Sequence, residues 1–259
     1  IGGNPLSNPQ TTLSWGPHKD EVDPQVLQDL GVDRIPVFDP RADFYQTGLV
    51  YENALSLSGG TPGTNYFLSA GDLRQEGIVP GTKLDRTSLL AKFGTRLNER
   101  LNVLTSVNYV RTGNDWLSEG NGARTYLFGL NFSPISFDIT EFEYEDGTQR
   151  NHTRSFNNPL WLTENTRYTS DVDRFIASTS ATYDLLPWLR LSERIGIDTY
   201  GDRRKEEINI GTVSRPNGSM YDQKITRREI NSDFTIQVDR NLSEAYAGRK
   251  KGAKKVMGD

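Results

Sequence analysis

Apolar and polar residues alternate with a period of two in seven stretches of this chain. Leu49, Tyr51, Leu55 and Leu57 are set off by Glu52, Ser56 and Ser58, and Tyr66, Leu68 and Ala70 alternate with Phe67 and Ser69. Leu89, Ala91, Phe93 and Leu97 oppose Lys92 and Arg96, and Leu101, Val103, Val107 and Tyr109 oppose Asn102, Ser106 and Asn108. The pattern returns with Phe175, Ala177, Ala181, Tyr183 and Leu185, then with Leu189, Leu191, Ile195 and Ile197. It ends with Ile230, Phe234, Ile236 and Val238. Because successive strand residues point to opposite sheet faces, each stretch is predicted to be a strand with one apolar and one polar face. Between residues 49 and 239 no segment keeps the i, i+3, i+4, i+7 spacing of an amphipathic helix over three turns.

Strand length separates two classes of β protein. Strands in soluble folds average about five or six residues, whereas a tilted strand needs roughly nine to eleven to cross a bilayer. Most of these stretches fit the larger figure. Short turns are predicted at 59–64, 98–100, 186–187 and 240–243, and longer polar connections at 72–85, 113–170 and 202–228. Short connections at one end and long ones at the other give the sidedness of an outer-membrane barrel. The expected fold is therefore all-β, an antiparallel up-and-down meander. It forms a partial transmembrane β-barrel of about seven strands with one long extracellular loop. Low overall hydropathy is compatible with this, since only alternate strand residues meet lipid.

Composition narrows the chemistry. The 259 residues include no Cys and two His, so no disulfide framework, thiol nucleophile, Cys-ligated metal or His-centred triad is expected. The 24 Gly and 12 Pro suit a turn-rich β chain. A net charge of −4 and the lack of RNA-module signatures speak against nucleic acid as a partner. No dinucleotide fingerprint, phosphate loop or nucleophile elbow is present, and neither an enzyme nor a bound cofactor is expected. The opening Ile1-Gly2-Gly3-Asn4-Pro5 lacks a start Met, a basic region and an apolar core, so the chain is expected to begin inside a longer protein.

Several short motifs carry a family resemblance. Phe44-Tyr45-Gln46-Thr47-Gly48, followed by Asn53-Ala54-Leu55-Ser56-Leu57-Ser58-Gly59-Gly60, resembles the start of the barrel in SusC/RagA-type TonB-dependent transporters. Asn65-Tyr66-Phe67-Leu68-Ser69, Gln75-Glu76-Gly77-Ile78-Val79-Pro80-Gly81-Thr82 and Asp85-Arg86 are similar to the next hairpin of that family. Ser14-Trp15-Gly16-Pro17 upstream, and Asn157-Asn158-Pro159-Leu160-Trp161, Asp173-Arg174 and Trp188-Leu189 downstream, fall in the matching order. The resemblance covers about residues 10–244. It implies a large outer-membrane barrel with an N-terminal plug, importing glycans or oligopeptides. A SusD-like surface lipoprotein and the TonB complex would be its partners. Plug and TonB-contacting segment have no counterpart in this sequence, so the chain is expected to represent the plug–barrel junction and the first part of the barrel.

Candidate site residues lie in the long connections. The stretch 113–170 holds many aromatics, most of them expected to form a small core of its own. Trp116 and Trp161, beside Asn114, Asp115 and Asn158, are the candidates for exposed contact with substrate or the partner lipoprotein. Arg203, Arg204, Arg227 and Arg228, with Lys205 and Lys224, face one another across a hairpin and are candidates for lipopolysaccharide phosphates, since guanidinium geometry suits phosphate. The competing role is cross-strand pairing with Glu206, Glu207 and Glu229. Glu141, Glu143, Glu145 and Asp146 lack the spacing of a calcium loop and read as a solvated acidic loop.

The expected organisation is an irregular segment at 1–48, a partial barrel at 49–244 and a basic tail at 245–259. Six of the twelve Pro (positions 5, 9, 17, 24, 36 and 40) lie before residue 44, which is hostile to a central strand. The tail, with Arg249, Lys250, Lys251, Lys254 and Lys255, has no alternation. It is expected to be disordered or a frayed helix, a scar of truncation or frame change. The odd-numbered apolar positions of 101–109, 175–185 and 189–197 are expected on one face, joined by the even-numbered set of 230–238. The alternative to a transporter is a soluble, secreted β-rich binding or adhesion module, which would bury this face against a second sheet.

Overall fold

The computed structural model describes residues 18–240 apart from Leu30, Asn121, Ala123 and Ser214. The motif at Ser14–Pro17, the turn beyond Arg240 and the basic tail lie outside the described residues. Seven strands form one antiparallel sheet in sequence order. They are β1 (Leu49–Thr61), β2 (Thr64–Glu76), β3 (Lys83–Arg96), β4 (Leu101–Trp116), β5 (Thr166–Leu186), β6 (Leu189–Ile208) and β7 (Ser219–Val238). Two short helices, α1 (Pro24–Asp29) and α2 (Pro40–Phe44), precede the sheet, and α3 (Tyr126–Phe132) and α4 (Pro159–Asn165) lie between β4 and β5. No strand occurs among the described residues before Leu49.

Register sorts the side chains into two unlike faces. One row, a residue per strand, reads Leu57, Leu68, Ala91, Val107, Ala177, Ile197 and Ile230. The row behind it on the opposite face reads Ser58, Phe67, Lys92, Ser106, Ser178, Gly196 and Asn231. The even-numbered apolar residues of β7 do join the odd-numbered ones of β4 to β6, with Leu191 opposite Ile236 and Leu189 opposite Val238. Phe175 and Asp184 lie on opposite faces, and the one register shift falls between Asp184 and Leu186, next to the turn. Residues 101–109, at roughly 3.3 Å each, cover about 30 Å along the strand, or about 21 Å when tilted by 45°, close to the height of a lipid-facing band.

The strands run further than their alternation does. β5, β6 and β7 are 21, 20 and 20 residues long, and the long connections shrink to 77–82, 117–165 and 209–218. Beyond the apolar band the ladder continues through polar pairs. Arg203 is bonded to Asp222 at 2.7 Å, Lys83 lies 3.5 Å from Asp115, and the Tyr109 hydroxyl donates to Asp173 at 2.5 Å. Backbone pairing needs no hydrophobic period, so a sequence pattern locates the band and misses its extensions.

Glycines tighten the first hairpin. A Cβ on Gly60 would collide with the Thr64 carbonyl, and one on Gly59 would collide with the Tyr66 ring across the ladder. This gives a physical reason for Gly59-Gly60 at the end of β1.

Candidate functional site

The packed part of the molecule sits at the long-loop end of the sheet. Phe44, Val79, Leu117, Tyr126, Leu130, Phe137, Ile139, Trp161 and Leu162 form one buried cluster. It is drawn from α2, the β2–β3 loop and the 117–165 segment, so one cap joins the segment before β1 to two connections. The expected small core of the long loop is present, and it is larger than the loop itself.

Asn157 and Asn158 build this cap. The Asn158 side-chain oxygen accepts from the Leu160 N–H at 2.9 Å, capping α4, with Pro159 at its first turn. Its amide nitrogen donates to the carbonyls of Ile139 (3.0 Å) and Arg150 (3.1 Å), so one buried side chain joins three strands of loop. The Asn157 oxygen accepts from Gln149 at 3.0 Å and from the Val213 N–H at 2.7 Å, tying the cap to the β6–β7 loop. The same two loops meet again where the Trp161 indole donates to Thr212 at 3.2 Å. The role of Asn157-Asn158-Pro159-Leu160-Trp161 is thus to fasten loop to loop.

The segment leading into β1 is fastened in the same way. Phe44 stacks on Tyr126 with ring centroids 5.2 Å apart, and the Gln46 side chain donates to the Gly77 carbonyl at 3.0 Å. The Phe38 N–H donates to the Ile135 carbonyl at 2.7 Å. Burial, and then Glu119 beside its hydroxyl, push the Tyr126 phenol up to about 12. Burial lowers the pKa of His152, which lies among Phe137 and Phe156. Both groups therefore stay neutral near pH 7, as a cap core requires.

The two tryptophan candidates part company. Trp116, the last residue of β4, is half-buried on the polar-face side of the ladder, with its ring 6.3 Å from that of Tyr168. Trp161 is 2% exposed, so the expectation of an exposed contact there is corrected. Its neighbour Asn158 signalled polarity in the sequence, but that polarity is spent on capping rather than on solvent.

The arginine candidates are split by the two-residue period. Arg203 and Arg228 share the face of the apolar band, whereas Arg204 and Arg227 share the polar face. Arg204 pairs with Asp202 at 2.7 Å, and Arg227 pairs with Glu229. Of the three glutamates expected to take these charges, only Glu229 has this pairing; Asp202 and Asp222 supply the other carboxylates. The acidic stretch at 141–146 is a tight hairpin. Asp146 accepts from the Thr148 N–H at 2.9 Å and its hydroxyl at 2.6 Å, which lowers the Asp146 pKa, and Gly147 takes φ +77° at the turn. Among the described residues no group of three His, Asp or Glu is placed to hold a metal ion.

Below the cap the polar face is wettable. Lys92, Ser106, Ser178, Ser180 and Arg194 line a hollow of about 340 Å³, and Arg174 and Asp198 form a two-pronged pair nearby at 2.9 and 2.5 Å. Hydroxyls, amides and paired charges offer hydrogen bonds to water or polar solutes.

No family model matches the chain, and no curated protein does. Solved structures do. A chain of the RagAB peptide importer in its closed-closed state matches with a TM-score of 0.60 and 19% identity, over 77% of this chain and 23% of that one. The open-open state matches at 0.59 and 21% identity over 78% and 23%. The RagAB peptide transporter structure matches at 0.60 and 20% over 77% and 23%. The likeness is one of fold, and the chain spans about a quarter of the length of those chains.

Proposed function

We propose that this chain is a sector of a TonB-dependent outer-membrane transporter of the SusC/RagA type. In this reading residues 49–244 form barrel wall, residues 1–48 lead into it, and 245–259 stand apart as a basic tail. The apolar face meets lipid, the polar face lines the lumen, and the cap lies at the extracellular rim. The observation that carries the reading is the row from Leu57 to Ile230, with Leu57 58% and Ile230 67% exposed. A continuous apolar row needs either lipid or a second sheet, and the described residues hold one sheet. The transport proteins of like fold favour import over catalysis.

The resemblance of the sequence motifs extends the reading to an oligopeptide or glycan as cargo, a SusD-like lipoprotein docked on the cap, and energy supplied through TonB. In this reading Trp116, half-buried on the polar face at the end of β4, is the aromatic proposed to contact either. The test is extraction of the complete protein that contains this chain. It is expected in the outer-membrane fraction, released by detergent and not by salt or alkaline washing. Release into buffer without detergent would end the transporter reading and favour the soluble binding module.

A further inference from the structure

Once the register is fixed, the basic residues at the upper end of β6 and β7 no longer form one cluster. Arg203 and Lys205 on β6, and Lys224 and Arg228 on β7, all fall on the face of the apolar band. Arg228 stands opposite Thr199, in the row that continues through Phe175 and Tyr109 at the band's upper edge. Lys224 stands opposite Arg203 two rows higher, and Lys205 opposite Asp222 above that. Between the Arg228 row and the Arg203–Lys224 row sit only Gly201 and Thr226 on these two strands, and a Cβ on Gly201 would meet nothing within 4 Å. The result is a notch floored by Gly201 and Thr226, flanked by cations along β6 and β7 and bordered by Asp173 on β5.

We propose that this corner binds the phosphate groups of an anionic glycolipid of the lipopolysaccharide kind, seated beside the wall with its acyl chains on the apolar band. The proposal rests on the membrane-wall reading above. Three carboxylates border the site, among them Asp173, which stands opposite Gly201 on β5 and accepts from the Tyr109 hydroxyl. Asp222 takes Arg203 in a two-pronged pair at 3.3 and 2.7 Å, and Asp171 stands opposite Arg203 on β5. Asp222 and Asp171 offset two of the four cations of β6 and β7, and Asp173 faces Arg111 on β4, which leaves Lys224 and Arg228, flanking the notch, as the charges offered to a ligand. Guanidinium and ammonium groups both make charge-assisted bonds to phosphate, the guanidinium as a fork. Lipid is the occupant because the cations continue the lipid-facing side; free phosphate would have no reason to prefer that face over the lumen. Arg204 and Arg227, on the lumenal face and paired with Asp202 and Glu229, are excluded from the site.

The experiment uses the complete barrel protein in lipid nanodiscs, with native mass spectrometry counting bound glycolipid. The double variant Lys224→Glu/Arg228→Glu is expected to lower glycolipid binding by at least about tenfold, the loss of one to two charge-assisted bonds. Arg227→Glu, on the other face, is expected to bind as the parent does. The parent should also lose the same affinity for enzymatically dephosphorylated glycolipid, an arm that needs no variant to fold. Equal binding of the phosphorylated and dephosphorylated forms would overturn the proposal. So would displacement by millimolar inorganic phosphate alone, or an equal loss in Arg227→Glu. Recovery of the parent in buffer without detergent would instead overturn the membrane-wall reading itself.

Discussion

Two regions of this molecule treat apolar side chains in opposite ways. In the seven-stranded wall Leu55 is 76% and Phe234 62% exposed, whereas in the cap Phe137 and Ile139 are fully buried. Among the described residues the only buried large hydrophobic inside a strand is Ile208, at the capped end of β6. The difference is one of completeness. The cap brings its own second layer through α2, α3, α4 and three loops, and satisfies its polar groups with Asn157, Asn158 and Thr212. The wall has one layer and relies on what surrounds it, a dependence that a lone sheet with an apolar face cannot escape.

If the cap is a self-sufficient unit, its core should fail locally and by a large amount. Phe137 lies under the Arg150 guanidinium, 5.3 Å from its ring centroid, and beside His152. Phe137→Ala in the complete barrel protein is expected to destabilise the cap by about 3–5 kcal/mol, the usual cost of emptying a buried aromatic site. Hydrogen exchange should then show fast amides across 125–165 while the middle of β4 and β5 keeps its protection. Equal loss of protection in those strands would mean that cap and wall are one cooperative unit.

The same contrast sets what a sequence can disclose. The band was legible because its two unlike faces impose a two-residue period from Leu101 to Tyr109, broken only at Leu104 and Thr105, and a slip of one residue would reverse every face. The upper halves of β5, β6 and β7 were not, since Asp171, Arg203 and Asp222 stay paired with no apolar demand on either face. Parity already assigned Arg203 and Arg204 to different faces, but the grouping of six basic residues by hairpin proximity ignored it. The cap was legible only as an aromatic-rich stretch. That Trp161 would be buried depended on Thr212, some fifty residues away, and on Asn157 reaching Val213, contacts with no local signature. The helices α3 and α4, of seven residues each, are too short to show a period.

The proposed dependence of the wall on lipid can be probed at neighbouring positions on opposite faces. Val107 lies in the middle row of the apolar face, and Asn108 faces the other way. Val107→Arg is expected to cost about 2–4 kcal/mol in folding into bilayers, whereas Asn108→Arg should cost less than about 1 kcal/mol because water or polar groups can receive it. Urea titration of the complete barrel in thin-chain vesicles measures both. Equal costs at the two positions would remove the distinction between a lipid face and a lumenal face.

The smallest expected effect tests whether the polar face is wet. Arg174 and Asp198 form a two-pronged pair across β5 and β6, with side chains 47% and 28% exposed. On a solvated wall such a pair is worth about 0.2–1 kcal/mol, because water screens the charges and both side chains give up rotamers to hold the geometry. A double-mutant cycle with Arg174→Gln and Asp198→Asn isolates the coupling from the neighbouring Tyr200 and Glu229. In about 1 M salt, where the screening length falls to roughly 3 Å, the coupling should shrink towards zero. A dry, packed lumenal face would behave differently. Removing one partner would then leave a buried charge uncompensated, costing about 3–5 kcal/mol with little response to salt. A large, salt-insensitive coupling would therefore show that the polar face is covered by packed protein, and that the wall resembles the cap on this side after all.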